Sequence, residues 1–166
     1  FAEITKPTTS SGYPSTSTYF VPFGALTPSF QIPTTGSATY SGIVFGRGGG
    51  GTFVGDTRLS GTSLLTANFG TGNLDMMMTL SAVDTTGVAR SLGNIHYVLP
   101  ACPGACQPIA NTFILSASGT DYANGPLKGY FYGANAAEFG ASFLLGLSNG
   151  PGNGASFSGV TVGKKN

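Results

Sequence analysis

Charge is what this sequence has least of. Only seven of 166 residues are Lys or Arg and six are Asp or Glu, 8% in all, against about 25% in average usage. Trp is absent, His occurs once and Cys twice. The formal net charge of +1, with no Lys/Arg cluster, excludes the basic footprint of a nucleic-acid binder. A charged disordered tail is excluded as well, because 40% of the residues are hydrophobic and 11% aromatic. No run approaches the roughly 18 apolar residues of a membrane-spanning helix. The start lacks a basic segment leading into an apolar one, so Phe1 reads as a processed end. The final Gly163-Lys164-Lys165-Asn166 is too short for a membrane-binding basic tail.

The same scarcity limits catalysis. One His, four Asp and two Glu leave little from which to build an active site. A Ser-His-Asp triad has only His96 to use, and no Gly-x-Ser-x-Gly elbow occurs. Paired carboxylates for glycoside hydrolysis would need two of Glu3, Asp56, Asp75, Asp84, Asp121 and Glu138 to converge. Most of these stand in turn-like contexts, where Asp serves the backbone. No enzyme is expected.

What the chain has is glycine, proline and aromatics: 27 Gly, 10 Pro, 12 Phe and 7 Tyr. Cys102 and Cys106 lie in Pro100-Ala-Cys-Pro-Gly-Ala-Cys-Gln-Pro108, where Pro and Gly bend the chain back. A local disulfide is the expected state, which implies an oxidising compartment and an exported protein. A zinc site with His96 as third ligand lacks a fourth donor in this segment.

Residues 1–36 form a Ser/Thr/Pro-rich stretch in which Pro7, Pro14, Pro22, Pro28 and Pro33 recur. Prolines so spaced forbid helices and central strands, so an extended N-terminal arm is expected. Tyr19, Phe20, Phe23 and Phe30 make it too apolar for a free linker. The arm must pack on its own domain or on a neighbouring chain, and these four aromatics are candidate partner contacts.

From residue 37 to 166 a barrel domain is expected, read as strand, turn, strand. Strands are predicted over Thr39–Phe45, Ser63–Phe69, Leu74–Ser81, Ala89–Val98, Thr112–Ser118, Leu127–Tyr132, Glu138–Leu147 and Ala155–Val162. Leu74, Met76, Met78 and Leu80 alternate with Asp75, Met77, Thr79 and Ser81, the period of a half-buried strand. In the seventh strand Phe139, Ala141, Phe143, Leu145 and Leu147 share one face. Eight short strands with no credible helix predict an all-β, antiparallel, eight-stranded β-barrel, just wide enough to be filled by its own side chains or to hold one small ligand.

Gly46-x-Gly48-x-x-Gly51 matches a dinucleotide fingerprint in letters only, since Thr52-Phe53-Val54-Gly55 follows where a helix would have to begin. Residues 46–57 are instead expected to be a flexible Gly-rich loop whose Arg47 and Phe53 offer contacts. Segments 99–110 and 118–126 are the other long, irregular connections. His96, at the end of a strand, is a candidate axial haem ligand, although a lone strand His is more often a rim residue.

The segment Gly129-Tyr130-Phe131-Tyr132-Gly133-Ala134-Asn135-Ala136-Ala137-Glu138-Phe139-Gly140-Ala141-Ser142-Phe143 resembles a hairpin motif of the transferrin-binding protein B β-barrel family. Related barrels include haemophilin-type haemophores and factor-H-binding protein. Ala38-Thr39-Tyr40-Ser41-Gly42 and Leu65-Thr-Ala-Asn-Phe-Gly-Thr-Gly72 resemble two further pieces of the family pattern, in order. Departures fall at Ala134, where Pro is common, and at Ala141, where Gly is usual. The resemblance implies a barrel filled by side chains, with partners recognised by loops and accessory strands. It makes Gly133, Glu138 and Gly140 structural. It also implies an extracellular or outer-membrane surface location and a partner that is a host protein, an iron or haem source, or an outer-membrane protein. No lipid-bearing Cys opens the chain. A second class of function remains open: a structural subunit of an extracellular assembly joined through the arm.

Overall fold

The computed structural model describes residues 1–10, 13–99, 109, 111–118 and 125–166. Among the described residues there are ten strands: β1 Ala2–Ser10, β2 Tyr13–Val21, β3 Ser37–Gly50, β4 Thr57–Asn68, β5 Asn73–Val83, β6 Ala89–Val98, β7 Thr112–Ser118, β8 Pro126–Tyr132, β9 Glu138–Gly146 and β10 Ala155–Lys165. The last eight close into an antiparallel barrel in the order β10-β3-β4-β5-β6-β7-β8-β9, and β1 pairs with β2 in a sheet of its own.

Alternation decides which side chains fill the barrel. Leu74, Met76, Met78 and Leu80 point inward from β5, and Phe139, Ala141, Phe143 and Leu145 from β9, all buried. At one end the rings of Tyr40, Phe69 and Phe113 pack on Phe131 and that of Phe139 meets Tyr40 edge-on, with centroids 5.2–5.9 Å apart. At the other end Phe53 meets Phe157 edge-on at 5.7 Å, and the Arg90 guanidinium covers Phe53. Asp84 secures the β5–β6 turn there by accepting hydrogen bonds from the Thr86 hydroxyl and the Thr86 and Val88 amides. These bonds, the hydroxyl's foremost, hold its carboxyl below the usual carboxylate range.

A narrow barrel cannot hold a large side chain at every inward position, so large and small ones alternate around it. Here the matching is between direct cross-strand partners: Gly48 with Phe157, Gly159 with Phe143, Gly163 with Phe139, and Gly129 with Phe113. Each ring lies where the Cβ of its glycine partner would be. Two inward hydroxyls, on Ser63 and Thr161, satisfy each other at 2.7 Å.

One expectation is corrected and another is sharpened. The run Gly46–Gly50 is the last part of β3 and not a loop, because the inward glycines let β3 pass close to the β10 backbone at Ser156 and Ser158. The arm is extended but not single-stranded: β1 and β2 pair antiparallel as a hairpin ribbon, with Ala2 opposite Val21 and Ser10 opposite Tyr13. A two-stranded ribbon tolerates Pro7 and Pro14 because every second N–H points to a free edge. Residues 22–36 then cross the aromatic end of the barrel and lie on this chain's own domain. The amide of Thr27 donates to the Phe131 carbonyl at 3.0 Å, that of Gly133 to Ala25 at 2.9 Å, and that of Phe69 to Gly36 at 2.9 Å. Ile32 is buried in the barrel core.

Candidate binding surface

The filled interior moves attention to the outer wall. In β10 Phe157, Gly159 and Thr161 occupy inward positions, so Val160 must face outward, yet it is 0% exposed. The cover is β2, which lies against β10. On the hairpin, Phe20 and its partner Glu3 face the barrel, whereas the pairs Ala2/Val21 and Ile4/Tyr19 face away. Phe20 is accordingly only 7% exposed, while Tyr19 is 54%, Ile4 50% and Val21 43% exposed. Phe1 stacks on Phe45 with centroids 5.2 Å apart, and the Ser158 hydroxyl donates to the Thr18 carbonyl at 3.4 Å. Pro22 seats on outward-facing Gly140, where a Cβ would come within 2.7 Å of its ring. The Tyr132 hydroxyl donates to the Pro22 carbonyl at 3.3 Å.

Arg47 ties hairpin, wall and following loop together: its Nε lies 2.7 Å from Glu3 and its Nη1 2.5 Å from Asp56. The Asp56 hydrogen bond and the Glu3 charge raise its pKa above the ordinary arginine value. All three groups are solvent-accessible, so the network is screened and weak. Arg47→Ala is expected to lower stability by less than about 1 kcal/mol. In denaturant titrations the difference from wild type should shrink further as salt is raised.

Three open grooves of about 470–560 Å³ run along the hairpin seam. One is lined by Pro22, Phe23, Ile43 and Val162, a second by Tyr19, Val21, Lys128 and Leu144, and the third by Phe1, Phe45, Arg58 and Val83. Beyond the hairpin, Phe23 and Phe30 project into solvent with 69% and 84% of their surfaces exposed.

The contact residues expected from sequence thus divide. Tyr19, Phe23 and Phe30 are presented, and Arg47 is reachable though engaged. Phe20 and Phe53 are buried, the first under the hairpin and the second as a plug in the barrel end. Sequence reading missed Ile4, and marked Val21 as apolar but not as a contact; both join Tyr19 on one hairpin face. It also missed the covered Val160, whose signal was an apolar side chain out of phase with the core face of β10.

His96 stands on the outer face of β6, with Nε2 2.8 Å from Oδ2 of Asp75 on β5. Met77 and Ser118 are its register partners on either side. Among the described residues no group of three or more His, Cys, Asp or Glu side chains could hold a metal ion. None of the three grooves includes His96 in its lining. Cys102 and Cys106 lie outside the described residues, as do most of segments 99–110 and 118–126. No described helix is long and apolar enough to cross a membrane.

No protein-family model and no curated protein matches the chain. Solved structures do. A double mutant of transferrin-binding protein B from Haemophilus parasuis Hp5 matches with a TM-score of 0.56 at 14% identity, over 98% of this chain and 37% of that one. The intact two-lobed Ap-TbpB gives 0.55 at 14% identity, over 98% and 38% of the two chains. The isotype 1 protein of serogroup B Neisseria meningitidis gives 0.50 at 20% identity, over 85% and 28%. This chain therefore spans under two-fifths of the length of those proteins. In fold it is similar to the barrel domains of transferrin-binding protein B, as its Gly-Tyr-Phe-Tyr-Gly hairpin implied.

Proposed function

We propose that this chain is a non-enzymatic binding domain of an exported bacterial surface protein, made of an arm (1–36) and a barrel (37–166), which recognises a protein partner. One observation carries the reading. Of the 15 large hydrophobic residues exposed among those described, seven lie in the first 30 residues: Phe1, Ile4, Tyr19, Val21, Phe23, Leu26 and Phe30. Rigid, exposed aromatics on a scaffold whose interior is already filled are what a protein interface uses as anchors. The low surface charge supports the reading, because few ions need to be desolvated on contact. The partner is a host protein such as transferrin, another carrier of iron or haem, or an outer-membrane protein.

The test is capture on the immobilised chain from serum and from outer-membrane extract, followed by binding isotherms with whatever saturates. The triple variant Tyr19→Ser/Phe23→Ser/Phe30→Ser leaves the buried core untouched and is expected to weaken binding at least about tenfold, the effect of losing one well-packed aromatic anchor. Equal binding by both proteins would move the interface off the arm. For haem, titration of wild type and His96→Ala, followed in the Soret region, decides whether His96 has a part.

A further inference from the structure

The hairpin and the rest of the chain are held in different ways. Residues 25–36 are joined to the barrel by main-chain hydrogen bonds. The β1–β2 ribbon is complete in itself, with nine register pairs, and among the described residues no backbone pairing joins it to a barrel strand. Side chains dock it: Phe20 and Phe1 on the outer wall, Glu3 on Arg47, and the Ser158 hydroxyl on Thr18. All three grooves lie along this seam. The joint between the two parts is Pro22-Phe23-Gly24, with Phe23 turned to solvent.

We propose that the β1–β2 hairpin exchanges between two copies of this chain, each hairpin seating on the β10–β3 wall of the other. The occupant follows from the wall itself. Its apolar stripe at Phe45 and Val160 and the charge of Arg47 are complementary to a hairpin of this sequence, carrying Phe1, Phe20 and Glu3, and that hairpin already lies on it. Exchange remakes every docked contact, so its free-energy cost is confined to the joint and to association. A three-residue joint spans at most about 10 Å, which brings the two barrels together along the edge where Pro22 meets Gly140. That approach covers Phe23 and the groove lined by Ile43 and Val162, giving the dimer apolar burial the monomer lacks. The inference does not depend on the proposed partner: Ile4, Tyr19 and Val21 face away from the wall in either state, and of the proposed anchors the dimer covers Phe23.

The experiment uses full-length chains. One carries Thr18→Cys, another Ser158→Cys, and a third both. The two single variants are mixed in mild urea, returned to buffer over a range of protein concentrations and oxidised. Wild type mixed with each variant measures background through Cys102 and Cys106. Exchange predicts a covalent heterodimer whose yield rises with concentration, and a particle of twice the 16.7 kDa monomer mass by light scattering. Deleting Phe23 and Gly24 should raise the dimer fraction at least tenfold at a given concentration, and inserting three glycines after Phe23 should lower it. The joint variants need no cysteine, so the result stands if an added cysteine impairs folding. Internal closure of the double variant with no heterodimer, and a monomer whatever the joint length, overturns the proposal. Dimers indifferent to joint length overturn it too, since they report a contact without exchange.

Discussion

Phe143→Ala is expected to lower the free energy of unfolding by about 3–5 kcal/mol, the usual range for truncating a buried Phe. Its cross-strand partner Gly159 should be almost as sensitive in the opposite sense. A Cβ at Gly159 would occupy the Phe143 ring and lie 2.5 Å from the Phe45 carbonyl oxygen. The ring can turn aside but the carbonyl belongs to the β3 ladder, so Gly159→Val should fall at or above the upper end of the 1–3 kcal/mol typical of overpacking. A fold of this size is worth only about 5–15 kcal/mol in all, so either change shifts the denaturation midpoint far down. The pair is distinguished from two independent losses by Gly159→Ala/Phe143→Leu, which trades volume across one register position. It should be less destabilised than the sum of its single changes, a coupling expected for side chains in contact. Strict additivity would mean that the two residues do not share one packing site.

That Gly–Phe matching marks the boundary of what the sequence discloses. Alternation within a strand is local and was legible: β6 and β7 have the predicted bounds, and the inward faces of β5 and β9 carry the predicted residues. Which glycine meets which ring depends on register between strands remote in the chain, and no periodicity encodes it. The first half of β4, Thr57–Thr62, is not legible as a strand because its outward positions are Arg, Ser and Thr, with Gly61 among the inward ones. Gly46–Gly50 reads as a loop because glycine usually marks turns, whereas here the lack of a side chain lets two strands approach. Proline frequency hid the hairpin, although Thr16 to Val21 is rich in β-formers. On the surface, aromatic content singles out the arm, whose Tyr19, Phe23 and Phe30 are exposed. It could not separate Tyr19 from Phe20, because that distinction needs to know which face of the ribbon meets the barrel.

Alkali should strongly destabilise this protein, for a reason built into its core. Tyr40 and Tyr97 are 0% exposed. The Tyr40 hydroxyl donates to the Ala136 carbonyl at 2.8 Å, and that of Tyr97 to the Leu144 carbonyl at 3.2 Å. A phenolate at either site would lose its donor proton, face a carbonyl oxygen and lie out of water. Burial therefore pushes Tyr40 up to about 12 and Tyr97 higher still. In the unfolded chain both return to about 10. Because the folded values are raised, this contribution to stability is fully present below pH 10 and is lost as the pH climbs through 12. Each unit above 10 costs about 1.4 kcal/mol per tyrosine, so by pH 12 the two together remove roughly 5 kcal/mol. Stability is expected to fall steeply between about pH 10 and 12, and where the fold gives way a step in phenolate absorbance should coincide with loss of the near-ultraviolet circular dichroism. Tyr40→Phe removes one of the linked protons and should make the stability–pH curve shallower above pH 10, after a loss of about 1 kcal/mol at neutral pH for the missing hydrogen bond. If all seven tyrosines ionised near pH 10 with the fold intact, Tyr40 and Tyr97 would not be sealed inside the barrel.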